Sequence, residues 1–304
     1  MIVTNPVHDV PVKRPVEALV EDSRHLPHVP EAKKSRSILV GLSFFWIGLI
    51  LLLAVFAGIL PIAPYEQPIG LPRQGMDFAS LDTFLGTDAL GRSMLSRVIH
   101  GAQVSLLVAT IAGLLSFVIG GLIGLLAGYF GKWSDAIVTL LADVMLAFPG
   151  LILLLALTTI MTPSVTILII GLGITGIPTF LRLARANTLT WSAREFVRAA
   201  LNMGAGNGRI LFKEILPNVL PPLAAYLPIV MATMIVAEGS LSFLGLGIPP
   251  PTPSWGGMIN DGKDSIADNP HLVFIPATVI FFTVFALNQI GDYLRHRFDR
   301  SMQS

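Results

Sequence analysis

REFVRAALNMGAGNGRILFKEILP, residues 194 to 217, is the stretch on which the reading of this chain turns. Its first ten residues form helix readily, GlyAlaGlyAsnGly at 204–208 breaks that helix, and ArgIleLeuPheLysGluIleLeu resumes it until Pro217. The segment reads as two short helices angled by a glycine turn. It forms the middle of a polar connection, about 35 residues from Ala184 to Asn218, between two runs with almost no charge. A basic amphipathic helix at a membrane edge ordinarily lies in the interface with its apolar face down. Two such helices set at an angle can also grip a partner.

Upstream, no residue from Val144 to Leu181 is charged. At 1.5 Å per residue that run is too long for one crossing of about 30 Å of hydrocarbon. Pro163 marks a turn between two spans, the third beginning near Ala136 and including Asp143, the fourth ending near Arg182. Leu220 to Leu246 and Leu272 to Gly291 supply a fifth and sixth, and Ile38 to Leu60 and Gly101 to Gly131 a first and second. The first is an uncleaved anchor by length, since its apolar core exceeds a secretory signal's and a polar tail of 37 residues precedes it. That tail, residues 1–37, holds Pro6, Pro11, Pro15, Pro27 and Pro30 among mixed charges and has too little apolar surface to fold alone.

Composition agrees with an all-α membrane protein of six helices in one membrane domain, residues 38–304. The 304 residues are 53% hydrophobic and 13% charged, where soluble domains carry about 25% charged residues. The net charge of +1 points to no nucleic-acid partner, and the lipid bilayer is the expected surroundings. Sixteen of the 20 Lys and Arg fall on the face that holds both termini, against Arg73, Arg92, Arg97 and Lys263 on the other, so both termini are expected in the cytoplasm. With no cysteine, disulfides and thiolate metal sites are excluded.

Enzymatic signatures are missing or misplaced. No GxxxxGK[ST] occurs, so ATP is not held by that route. GlyLeuGlyIleThrGly at 171–176 satisfies GxGxxG, with Glu195 near the offset of a ribose-binding acid. It lies in an apolar span, however, where its glycines serve bending or close packing. The histidines show no HExxH or other ligand spacing, so no metal site is expected. Gly120, Gly124 and Gly128 recur every four residues on one face of the second span, a pattern for packing within the chain or against a second subunit.

Two acids stand inside apolar sequence, Asp143 and Glu238, and each needs compensation. Either they line a water-filled path or gate, or they accept hydrogen bonds that fix helix packing. A proton-coupled secondary transporter could use them as a relay. No internal repeat supports that reading. A membrane scaffold would leave the two-helix connection unexplained.

In the connection, ArgAlaAla, three residues, Gly204, then nine residues before GluIleLeuPro resembles the EAA signature of bacterial ABC importer permeases. Ala199, Ala200, Gly204, Leu216 and Pro217 match it. Arg198 stands where the signature has its leading Glu, and Glu214 where Ile is common. The resemblance narrows to the smaller, C-type permease of the peptide/nickel branch through LGTDALGRSMLSRVIHGA at 85–102, AFPGL at 147–151 and LSFLGLGIPPPTPSWG at 241–256.

That resemblance implies the type I importer permease fold in a bacterial inner membrane. It implies a second homologous permease as partner, with two ABC ATPase subunits below and an extracytoplasmic solute-binding protein above. The coupling residues implied are Glu195, Arg198, Ala199, Ala200, Gly204, Leu216 and Pro217. ATP and magnesium would sit on the ATPase subunits and no cofactor on this chain, which would carry peptides by alternating access. Loops 61–100 and 247–270 would meet the binding protein or cap the bundle.

Overall fold

The computed structural model describes residues 33–301, with side chains from 38 to 298. The expected tail lies outside the described residues up to position 32. Helix α1, Lys33–Phe56, ends in a short 3-10 turn, Ala57–Ile59. An irregular segment follows to Ser93, whose hydroxyl accepts the Ser96 N–H and caps α2, Met94–Phe130. At 37 residues, α2 is about 55 Å long and outreaches a bilayer core.

Beyond Gly131 lie α3, Lys132–Ala147, and α4, Gly150–Ile160, then α5, Val165–Ser192, and α6, Glu195–Asn202. Helix α7, Asn207–Phe243, is followed by the short α8, Trp255–Gly262, and by α9, His271–Ser301. Helices α1, α2, α5, α7 and α9 are each long and apolar enough to cross a membrane, and α3 with α4 makes a sixth crossing if the bent pair is one span.

Helices α2 and α5 are the central pair, and the glycine ladder lies between them. A Cβ at Gly120, Gly124 or Gly128 would stand less than 3.0 Å from the carbonyl oxygens of Ile177, Leu181 and Arg185 respectively. The small-residue face therefore serves packing within the chain, and it lets two backbones touch. The GxGxxG glycines of α5 make room for side chains instead: Gly171 meets those of Leu154 and Leu157, Gly173 that of Leu115, and Gly176 those of Ser116 and Met234. Helix α7 packs on this pair and α9 on α7. Helix α1 joins the bundle through Gln103 Nε2, which donates to Ala54 O at 2.7 Å, and through Trp46 Nε1, which donates to Thr283 Oγ1 at 3.1 Å.

Three spans differ from expectation. The third is broken: α3 and α4 meet at 80° across Phe148 and Pro149, because a proline's ring disfavours helical backbone in the residue before it. The helix of the fourth span runs on past Arg182 to Ser192, and Arg182 and Arg185 both find carboxylate partners on α3. The second short helix of the 194–217 connection is continuous with the fifth span. A π turn over Ile210–Ile215, in which Leu216 N–H bonds Leu211 O five residues back, opens the register just before Pro217. The helix therefore passes Pro217 without a break.

The bundle has two differently built ends. One carries residues 60–93 and α8 and is called the cap end below. The other carries Gly131 and α6, joined where Tyr129 Oη meets Asn207 Oδ1 at 3.0 Å, and is the loop end.

Candidate functional site

At the loop end, α5 stops after Ser192 and the chain turns a corner in which the Arg194 guanidinium lies 5.3 Å from the Trp191 ring centre. Arg194 is extended and starts α6, with Glu195 in the first turn where the helix dipole favours an acid. Val197 and Ala200 are buried, Val197 in the same cluster as Ile210, Leu211 and Ile215. Glu195, Arg198, Ala199 and Leu201 are exposed, so among the described residues one side of α6 is anchored and the other is uncovered.

Gly204 closes the helix. Its N–H bonds Leu201 O at 2.9 Å and the Ala205 N–H reaches back to Ala200 O at 3.0 Å, with Gly204 at φ +83°. This is a Schellman ending, with glycine in the left-handed position that a Cβ disfavours. Of the sequence-derived coupling set, Glu195, Arg198, Ala199, Ala200 and Gly204 thus belong to α6 and its cap. Leu216 and Pro217 lie on α7 just past the π turn, Pro217 exposed.

The two apolar-stretch acids have different surroundings. Asp143 on α3 accepts from Arg182 Nη2 at 2.5 Å, and both side chains are about half exposed, at 53% and 54%. A second pair, Asp135 with Arg185, is bidentate and more buried. Two acids of α3 thus face two bases of α5, which compensates charge in otherwise apolar surroundings. Glu238 is 1% exposed. Its Oε1 accepts from Ser242 at 2.7 Å and its Oε2 from Ser105 at 3.2 Å, so its first partners are hydroxyls on α7 and α2.

Sequence reasoning did not single out the polar groups of the cap end. Asp88 receives the N–H groups of Leu90 and Arg92 on Oδ1 and Arg92 Nε on Oδ2, the last at 2.6 Å. Buried Arg97 lies 3.4 Å from the same Asp88 oxygen and donates to Asp261 Oδ2 at 3.2 Å. Burial pushes the Asp261 carboxyl above the ordinary carboxylate range, against the pull of Arg97 and Arg92. Trp255, wholly buried, donates from Nε1 to Val98 O at 3.0 Å. Ser105 and Ser242 were visible as hydroxyls in apolar runs, and the four-residue spacing of Glu238 and Ser242 was the available signal.

Residues 120–304 match the family model for the binding-protein-dependent transport system inner membrane component. The chain belongs to that family. This binding-protein-dependent permease is 36% identical over 274 residues to a dipeptide transport system permease protein of Alkalihalophilus pseudofirmus, covering 90% of this chain and 89% of that one. It is 38% identical over 221 residues to a glutathione transport system permease protein of Pectobacterium atrosepticum, covering 73% of each.

Among solved structures, an inward-facing conformation of the MetNI methionine ABC transporter aligns with a TM-score of 0.55 at 19% identity, over 67% of this chain and 97% of that one. That likeness shows the type I importer permease fold. The permease is a multi-pass membrane protein, and of the three readings open to the sequence, family membership selects binding-protein-dependent transport over proton relay and scaffold.

Proposed function

We propose that this permease pairs with a second, homologous permease to import short peptides, driven by two ABC ATPase subunits that hold ATP and magnesium, with cargo delivered by an extracytoplasmic solute-binding protein. The observation that carries the reading is the half-anchored helix α6. Its buried face holds it to α7 through Val197, which shares a buried cluster with Ile210, Leu211 and Ile215, while Glu195, Arg198, Ala199 and Leu201 are left for another protein. A push on that face passes straight into α7, which is continuous from Asn207 to Phe243. Alternating access needs such a rigid connection between the site of ATP hydrolysis and the spans.

Relatives named for dipeptide and glutathione transport support a peptide cargo, and the charge asymmetry of the chain supports a cytoplasmic loop end. Purification of the tagged chain from its own membranes tests the reading. An ATPase should copurify, and the reconstituted complex with its binding protein should take up a labelled dipeptide only with ATP. A chain that purifies alone and transports without ATP would refute it.

A further inference from the structure

A carboxylate that is 1% exposed needs compensation, yet among the described residues no Lys or Arg pairs with Glu238. Two hydrogen-bond relays end on it instead. In one, Trp255 N–H donates to Ser105 Oγ at 3.3 Å, and Ser105 donates to Glu238 Oε2. In the other, Gly257 N–H donates to Ser254 Oγ at 3.1 Å, Ser254 donates to Ser242 Oγ at 3.4 Å, and Ser242 donates to Glu238 Oε1. Both begin at the first N–H groups of α8, of which Ser254 is the N-cap. Every hydroxyl accepts from the α8 side and donates toward the carboxylate. Helix N-termini concentrate unpaired N–H donors and positive potential, and hydrogen bonds in series polarise one another.

The same helix is held again at its far end. Asp261 is bound by Arg97, one turn before Gly101, where α2 comes so close to Trp255 that a Cβ would stand 3.2 Å from its ring. Gly256 lies against Gly239, where a Cβ would be 2.6 Å from the Gly239 Cα. Helix α8 therefore has no room to slide on α7 while the relays hold.

We infer that Glu238 is a positioning residue, a buried carboxylate that clamps the N-terminus of α8 to α7 and α2, so that movement of these spans is carried to the cap surface and the reverse. The inference rests on the importer reading for its consequence, since the cap is then the surface on which the binding protein acts. The clamp itself stands on the geometry alone.

Thiol accessibility reads the clamp directly, because the chain has no native cysteine. Met258 of α8 is 3% exposed, so Met258→Cys should react slowly with a maleimide in the purified complex. Adding Glu238→Ala should speed labelling at least about tenfold, as the acceptor shared by both relays is lost and α8 opens more often. Ser105→Ala and Ser242→Ala, which each cut one relay and keep the acid, should each raise the rate several-fold. They also serve if Glu238→Ala does not assemble.

Labelling within about twofold of the parent in all the variants that assemble would overturn the clamp. In the same reconstituted complexes, the ratio of ATP hydrolysis with dipeptide-loaded binding protein to basal hydrolysis should fall as labelling rises. Faster labelling with an unchanged ratio would overturn the transmission. A parent complex with no stimulated hydrolysis would count against the importer reading and leave the labelling comparison to judge the clamp.

Discussion

Arg182 on α5 donates to Asp143 on α3 at 2.5 Å, and each side chain is about half exposed. Lipid is a poor surrounding for a half-exposed ion pair, so that face must meet water or a polar partner. A double-mutant cycle with Asp143→Asn and Arg182→Gln, followed by unfolding of the assembled complex, separates the two. Water on that face predicts a coupling of about 0.2–1 kcal/mol, as for exposed pairs. That is the expected result, and a loss above about 3 kcal/mol for either single change would show the pair buried against another subunit.

The contact of α2 with α5 makes a steeper prediction. A Cβ at Gly124 would meet the Leu181 carbonyl oxygen, which is backbone and cannot swing aside. Gly124→Ala should therefore destabilise the chain by roughly 1–3 kcal/mol. Gly48→Ala, at a site with nothing within 4 Å, should leave stability within about 0.5 kcal/mol. Thermal unfolding in detergent compares them, and equal melting temperatures would contradict the close approach.

Membrane sidedness is open to a labelling test. The loop end holds Lys132, Arg194, Arg198, Arg209 and Lys213, the cap end Arg92, Arg97 and Lys263. Cysteine at 263 should react with an impermeant reagent in whole cells, and cysteine at 132 only after lysis. The reverse pattern would invert the chain in the membrane.

What could be read from the sequence follows from the range of the forces involved. The spans were legible because burial in lipid requires about 20 apolar residues wherever the chain crosses. The Gly204 break was legible because positive φ selects glycine locally. Helix ends were not. Arg182 and Arg185 stand on α5 opposite Asp143 and Asp135, some 40 to 50 positions earlier, a pairing that no local pattern announces. Nor could Pro217 announce that a π turn had made room for it. The surroundings of Glu238 were half legible. Its i,i+4 neighbour Ser242 was in plain view, but Ser105 is 133 positions away and reaches it only through the packing of α2 on α7.

Gly204 gives the last prediction. Its φ of +83° costs a non-glycine residue about 1–2 kcal/mol, yet a Cβ there would find nothing within 4 Å. Within this chain, then, the penalty is a backbone one. Alanine and leucine should pay it alike and asparagine should pay less. Strain at this position tilts α6 relative to α7 without touching a membrane-buried group, so the variants should still insert and assemble. In the reconstituted complex, uptake per ATP hydrolysed should be near normal for Gly204→Asn and lower for Gly204→Ala. If Gly204→Leu kept normal uptake and normal cargo-stimulated hydrolysis, the claim that this cap sets the coupling angle would be wrong. The comparison of leucine with alanine carries a second answer. A Cβ here meets nothing within 4 Å among the described residues, so a leucine defect much larger than the alanine one would come from its outer carbons and would point to a partner docked on that face, which a crosslink from position 204 to the ATPase would identify.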